Sequence, residues 1–168
     1  MLYTYDYPRP AVCTDCVVFG VTKAEFATHP TGNEASPLRV LLIRRDREPY
    51  AGAWALPGGF MEIDEPPREA AFRELHEETS LRPRELLPLG AYGAPDRDPR
   101  GRTISLVFTA IVELEGSHIH AGDDAREAAW RPARRPGRLA FDHGGIVRDA
   151  LRFWQERLAR FPFGADLL

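Results

Sequence analysis

The sequence has almost no lysine, and it has no long apolar run. Lys23 is the only lysine among 22 basic residues, which face 25 acidic residues and leave a formal net charge of −3 at pH 7. A dedicated duplex-binding protein is therefore disfavoured, because neutralising phosphates requires a basic excess. The longest apolar segment, 106–112, is interrupted by Thr109, whereas a transmembrane helix needs roughly 20 apolar residues. We expect neither a nucleic-acid partner nor a membrane partner.

Cysteine is also scarce, since Cys13 and Cys16 form a single C-x-x-C pair. A tetrahedral zinc site needs four ligands. His118 and His120 are of a type to supply the other two, but they fall in a predicted loop. Both cysteines lie in an apolar, strand-like segment, so we interpret them as small buried hydrophobic residues. Residues 1–10 carry tyrosines and an acidic residue where a signal peptide has basic and then apolar residues. We therefore expect a cytoplasmic protein.

Length and periodicity predict one α/β domain over residues 1–168, with residues 1–10 as an N-terminal arm. The hydrophobic fraction of 43% and the charged fraction of 28% suit a packed core. The pattern predicts strands at 11–21, 38–45, 86–92, 103–113 and 128–131, and helices at 68–79 and 142–160. Because strands and helices do not alternate regularly, we expect a sheet covered by helices on both faces.

The predicted helix 68–79 places three carboxylates on one face. At roughly 100° per residue, with Glu74 at zero, Glu78 lies near 40° and Glu77 near −60°. The opposite, buried side carries Phe72, Leu75 and Thr79. Neighbouring carboxylates repel one another, so a cation is needed, either Arg73 or a hard divalent ion such as Mg²⁺ or Mn²⁺. From the helix alone, a solvated acidic face is an equal alternative.

Residues 59–81 resemble the signature of the Nudix hydrolases, G-x5-E-x7-R-E-U-x-E-E-x-G-U, in which U is aliphatic. Eight of the nine specified positions match, from Gly59 and Glu65 to Leu81, and the exception is Ser80 in place of Gly. A Gly there would end the helix in a left-handed conformation, so Ser80 would cost roughly 1 kcal/mol or require a different turn.

This resemblance implies an α/β/α sandwich around a mixed sheet, and hydrolysis of a nucleoside diphosphate linked to another moiety. It also implies two or three ions of Mg²⁺ or Mn²⁺, held by catalytic Glu74, Glu77 and Glu78 and by the carbonyl of Gly58. Such ions would clamp the diphosphate and activate a water. The residues that would support this site are Gly59, Glu65 and Arg73.

The segment 92–102, YGAPDRDPRGR, resembles ADP-ribose pyrophosphatases and Nudix-type regulators of NAD metabolism. Its charged residues are candidates to bind phosphate and ribose, because Arg makes bidentate phosphate contacts. The candidates are Asp96, Arg97, Asp98 and Arg102. Arg44 and Arg45, at the end of the second strand, are further candidates for phosphate binding. The alternative is a solvated loop with local Asp–Arg pairs.

By the same resemblance, the catalytic base is expected before the strand that contains Trp130. Glu127 is preferred, Asp124 is second, and a glutamate of the signature is the remaining option. We expect hydrolysis of ADP-ribose to AMP and ribose 5-phosphate. NDP-sugars, dinucleotides such as NADH, and modified nucleoside triphosphates are alternative substrates.

A non-catalytic module that binds or senses ADP-ribose is the alternative from another class. Regulators of this kind append a winged helix, whereas the 27 residues from Asp142 onward predict one helix and a tail. Related enzymes are often homodimers, and we expect the same here, with a small nucleotide as the substrate.

Overall fold

The computed structural model describes residues 4–28, 38–122 and 125–160, which form a mixed sheet with flanking helices. The strands are β1 (Ala11–Val21), β2 (Arg39–Arg45), β3 (Trp54–Ala55), β4 (Gly58–Phe60), β5 (Leu87–Tyr92), β6 (Thr103–Glu113) and β7 (Ala125–Pro132). The helices are α1 (Lys23–Thr28), α2 (Pro67–Thr79) and α3 (His143–Arg160). Among these residues, no helix is long and apolar enough to span a bilayer.

The sheet is organised around β1 and β6, which run parallel to each other from Ala11 opposite Thr103 to Val21 opposite Glu113. The strand order is β3-β2-β1-β6-β5, with β4 paired to β1 and β7 paired to β2. Strand β4 places Gly58 opposite Asp15 in an antiparallel pairing. Gly58 and Gly59, which precede the predicted metal-binding helix, are therefore strand residues held against the central strand of the sheet.

Alternation along β1 divides the core into two layers. Val17 and Phe19 pack on the side of α3, and Cys16 and Val18 pack on the side of α2. Successive strand residues point to opposite faces, so a strand covered on both faces is apolar throughout. The predicted α/β/α sandwich is confirmed.

Periodicity predicts the long elements to within a few residues but not the short ones. Strand β4 has only three residues and exists through its pairing with β1. Helix α1, which the sequence analysis did not predict, has a capping box. The N–H of Glu25 donates to Thr22 Oγ1 (3.2 Å), and the N–H of Thr22 donates to Glu25 Oε2 (3.1 Å). Residues 4–10 of the predicted arm are exposed and form neither helix nor strand.

Candidate active site

Helix α2 ends in the conformation that the family signature assigns to Gly. Ser80 has φ 61° and ψ 4°, in the left-handed region, and its N–H donates to the carbonyl of His76 (2.7 Å). In the last turn of the helix, the carbonyl of Glu78 accepts the N–H of Gly122 (3.1 Å). A Cβ on Gly122 would lie 1.7 Å from the carbonyl oxygen of Glu77. The helix exit is therefore retained, with a residue that fits it less well than Gly.

The three glutamates of α2 that were predicted to bind metal occupy three different environments. The side chains of Glu77 and Glu74 are 58% and 15% exposed, and Glu78 is only 9% exposed. The Oε2 atom of Glu78 accepts the N–H of Gly58 at 2.8 Å. Leu75 on the predicted buried side is fully buried. On the acidic side, β4 lies against Glu74 and Glu78, so the alternative of a solvated acidic face is wrong for Glu78, whereas Glu77 stays exposed.

Arg73 is the cation that compensates the cluster in this structure. Its guanidinium donates to Glu65 at 2.6 and 3.0 Å, to Glu74 at 2.7 Å and to Glu77 at 3.1 Å. It also donates to the carbonyl of Phe60 at 3.2 Å. Hydrogen bonds from Arg73 lower the pKa of Glu65. Arg73 thus ties α2 to the loop that precedes it.

Burial disfavours the ionised forms of the two inner glutamates, Glu74 and Glu78. It raises the pKa of Glu78 to about 8, an effect that the carboxylates of Glu74 and Asp15 reinforce and the N–H of Gly58 opposes. Burial also raises the pKa of Glu74, although Arg73 opposes that shift. A bound cation would favour the ionised forms of both carboxylates.

The donor set of this face suits a hard divalent cation, because carboxylate oxygens are the ligands that Mg²⁺ and Mn²⁺ prefer. Within the described parts of the chain, no three acidic, His or Cys side chains form a ready-made coordination cluster. Glu74 and Glu77 are instead paired with Arg73. Arg73 bonds only Oε1 of Glu74 and Oε2 of Glu77, so the second oxygen of each carboxylate could still bind a metal ion.

The two glycines beside this face have no room for a side chain. A Cβ on Gly58 would lie 2.1 Å from the carbonyl oxygen of Thr14, and one on Gly59 would lie 2.5 Å from the carboxylate of Glu74. The glycines therefore allow α2 and β1 to approach the same backbone segment from two sides.

A cleft of about 90 Å³ opens at Gly58 and Gly59. It is lined by Cys13, Asp15, Arg45, Leu56, Gly58, Gly59, Phe60, Arg97, Asp98, Arg100, Phe141 and His143. Of the residues predicted to bind substrate, the cleft brings together Arg45, Arg97 and Asp98. Three others, Arg44, Asp96 and Arg102, are not among the residues that line it.

The loop 93–102 is fastened by its own charged residues. Arg97 is almost fully buried and makes two hydrogen bonds to the carboxylate of Asp142, at 3.0 and 2.8 Å. Asp98 accepts from Arg100 at 2.7 to 3.2 Å. Arg102 donates to the carbonyl of Gly93 at 2.6 Å. These residues hold the loop in place, and its Arg100 side chain remains partly exposed at the cleft.

Of the two candidates for the catalytic base outside α2, Glu127 is not among the residues that line the cleft. Glu127 lies on β7 opposite Arg44, with its Oε2 atom 3.9 Å from an Arg44 nitrogen and its side chain half-exposed. Asp124 lies outside the described residues.

The sequence analysis missed a buried polar group beneath the cleft. Asp15 is 6% exposed, accepts a hydrogen bond from Ser105, and lies 3.6 Å from Arg97 and 3.7 Å from Nε2 of His143. An acidic residue within an apolar strand was the available signal, because buried charges require partners. Its neighbour His143 accepts the N–H of Leu56 at Nδ1 (2.9 Å). Burial lowers the pKa of His143, which favours the neutral ring.

The sequence analysis also missed the aromatic mouth of the cleft. The guanidinium of Arg100 lies 5.0 Å from the ring centre of Phe60 and 5.7 Å from that of Phe141. Arg45 lies 4.9 Å from the ring centre of Phe141, and the side chain of Phe60 is exposed. Guanidinium groups beside aromatic faces suit a ligand that is both planar and anionic.

Comparison with known proteins gives consistent matches. The NUDIX domain model matches residues 28–150. An ADP-ribose pyrophosphatase from Methanocaldococcus jannaschii is 47% identical over 115 residues, which cover 68% of this chain and 67% of that protein. The ADPR responsive transcriptional repressor NtrR from Acinetobacter baylyi is 27% identical over 149 residues. This chain covers 86% of its own length in that match, but only 54% of the repressor.

Solved structures agree with these matches. The NUDIX domain of Shewanella oneidensis NrtR, complexed with ADP ribose, has a TM-score of 0.74 at 27% identity, covering 92% of this chain and 94% of that one. A bifunctional NMN adenylyltransferase/ADP ribose pyrophosphatase from Francisella tularensis has a TM-score of 0.69 at 28% identity. This second match covers 89% of this chain and 43% of that one.

Proposed function

Because this chain belongs to the NUDIX domain family, we propose that it hydrolyses ADP-ribose to AMP and ribose 5-phosphate with a divalent metal ion. The carrying observation is the packing of a buried glutamate, Glu78, against Gly58, which lines the cleft. The identity of 47% with an ADP-ribose pyrophosphatase supports the choice of substrate.

The metal site would be formed by Glu74, Glu77 and Glu78 with the carbonyl of Gly58, and would hold two or three ions of Mg²⁺ or Mn²⁺. When bound, these ions supply positive charge to the diphosphate and lower the pKa of a water. Arg73 would position the carboxylates. Glu65, which accepts two hydrogen bonds from Arg73, and Gly59 would support that arrangement.

On the substrate side, we assign the contacts to Arg45, Arg100 and Phe60. Arg45 and Arg100 are the cations of the cleft beside aromatic rings, where they can neutralise phosphate charge. Phe60 offers an exposed face for a base or a ribose. The role of Arg97, Asp98 and Arg102 is then to hold the loop. Arg44 and Asp96 are not needed for this assignment.

For the base, the geometry favours a glutamate of α2 over Glu127. Glu78 accepts the N–H of Gly58, which lines the cleft, and a general base must reach the attacking water to within roughly 3 Å. Glu127 lies on β7 and forms an ion pair with Arg44 of the neighbouring strand β2. Glu127→Gln is therefore the matched control for Glu78→Gln.

The test is a product-resolved hydrolysis screen with Mg²⁺ and with Mn²⁺, over ADP-ribose, an NDP-sugar, NADH and a dNTP. We expect AMP and ribose 5-phosphate from ADP-ribose, a loss of at least about 100-fold in Glu78→Gln, and near wild-type rates in Glu127→Gln. Preference for another substrate would contradict the assignment to ADP-ribose. A comparable loss of activity in Glu127→Gln would support Glu127 as the catalytic base and contradict the choice of Glu78.

A second candidate function is the sensing of ADP-ribose without cleavage. The observations that favour it are the repressor NtrR, matched over 86% of this chain, and the fold of the NrtR domain complexed with ADP ribose. Calorimetry with ADP-ribose and Mg²⁺ separates the two functions. A sensor binds the nucleotide and leaves it intact, whereas an enzyme produces AMP during the titration.

We further propose that residues 1–168 form a single domain and that the protein is a cytoplasmic homodimer. Its ligand is a small nucleotide, and it binds neither nucleic acid nor a membrane. The net charge of −3 supports the exclusion of nucleic acid. Light scattering coupled to gel filtration tests the homodimer, and a gel-shift assay with duplex DNA tests the exclusion.

A further inference from the structure

His143 makes a side-chain hydrogen bond to the backbone just before Gly58 and Gly59. Its Nδ1 atom accepts the N–H of Leu56 at 2.9 Å, across 87 positions of the chain. A nitrogen that accepts carries no proton, so the ring proton lies on Nε2. That nitrogen lies 3.7 Å from Oδ1 of Asp15. The imidazole is 4% exposed, and both of its nitrogens therefore face defined polar neighbours.

Three consecutive residues, 56–58, are each tied to a different element. The N–H of Leu56 donates to His143 of α3 (2.9 Å), and the carbonyl of Pro57 accepts the N–H of Cys16 of β1 (2.8 Å). The N–H of Gly58 donates to Glu78 of α2 (2.8 Å). Pro57 has no N–H and a fixed φ, so it adds only one free backbone torsion between Leu56 and Gly58.

We propose that His143 is a positioning residue, which fixes the backbone at Leu56 and thereby places the N–H of Gly58 against Glu78. Its role is that of a hydrogen-bond acceptor and not that of a proton-transfer group. Leu56 is almost fully buried, so without this acceptor its N–H must find water or the segment must move. The catalytic consequence rests on the proposed function, because it acts through the carboxylate face of α2.

Substitutions of His143 can distinguish the effect of its hydrogen-bond acceptor, Nδ1, from the effects of the size of the ring and of its other nitrogen, Nε2. In His143→Asn the amide oxygen can occupy the place of Nδ1, whereas in His143→Gln the amide reaches the place of Nε2. His143→Ala removes both. Ile146→Ala is the matched control, because Ile146 is a fully buried residue of the same helix that packs in the core on that side of the sheet.

The first measurement is hydrogen exchange of the Leu56 and Gly58 amides in metal-free protein, relative to the core amide of Val107. We expect exchange of both amides to accelerate by at least about tenfold in His143→Ala and His143→Gln. In His143→Asn and Ile146→Ala it should stay within about threefold of wild type. The second measurement is ADP-ribose turnover, in which kcat should follow the same order while KM changes by less than about threefold.

Unchanged exchange at Gly58 in His143→Gln would overturn the proposal, as would exchange in His143→Asn as fast as in His143→Gln. Should His143→Ala fail to fold, the Asn and Gln variants still decide between the two outcomes. The exchange measurement requires no turnover. Absence of ADP-ribose hydrolysis by the wild type would therefore refute the proposed function and leave this inference to be decided by exchange alone.

Discussion

Replacing Glu78 by Gln should stabilise the metal-free protein, and the gain should grow with pH. Glu78 is 9% exposed, and burial raises its pKa from 4.5 to about 8. Gln has nearly the shape of the protonated carboxyl group, and its amide oxygen can still accept the N–H of Gly58. The substitution therefore removes a titration while it retains the hydrogen bond.

The sign follows from proton binding. A carboxyl group with a raised pKa in the folded state keeps its proton where the unfolded chain has lost it. The stability that it contributes is complete below about pH 4.5 and is lost as the pH rises through about 8. At roughly 1.4 kcal/mol per pKa unit, the loss at pH 7 is on the order of 3 kcal/mol. For a domain of this size that corresponds to a difference in Tm of about 5–10 °C.

The assay is thermal unfolding in EDTA from pH 5 to pH 8.5. Glu78→Gln should lie within about 3 °C of the wild type near pH 5 and exceed it by about 8–16 °C near pH 8, where the loss reaches about 4 kcal/mol. Glu77→Gln is the control, since that side chain is 58% exposed and its loss should change stability by less than about 1 kcal/mol at every pH. A difference between Glu78→Gln and wild type that does not change with pH would refute the reasoning. Added Mn²⁺ at pH 8 should raise the Tm of the wild type more than that of Glu78→Gln.

Two further predictions concern the residues that hold the site. Ser80→Gly should raise the free energy of unfolding by about 1 kcal/mol, because Ser80 occupies a left-handed conformation; an unchanged urea midpoint would contradict this. Arg97→Ala should destabilise by about 3–5 kcal/mol, since it strands the buried carboxylate of Asp15 and unpairs Asp142. The Arg102 side chain is exposed and donates to loop carbonyls, so Arg102→Ala should lower the free energy of unfolding by less than about 1 kcal/mol. Equal losses of stability for Arg97→Ala and Arg102→Ala in urea denaturation would contradict this prediction.

The long elements and the common face of the α2 carboxylates could be predicted from local sequence pattern. Strands β1 and β6 were predicted at their observed bounds because aliphatic and aromatic residues dominate both segments. The spacing of Glu74, Glu77 and Glu78 fixed their common face, since a helix turns by a constant angle per residue. Local pattern was sufficient for these features, because each depends on neighbours within a few positions of the chain.

What covers that face, and which charges reach the cleft, depends on contacts between distant segments and could not be predicted from local pattern. Glu78 is buried because β4 pairs with β1. Arg97 forms a salt bridge with Asp142, which lies 45 positions away. His143 meets Leu56 across 87 positions. Helical periodicity states which side chains share a face but not which element packs on it. The order of strands in the sheet and the packing of α3 supply that information, and both arise from contacts between segments far apart in the chain.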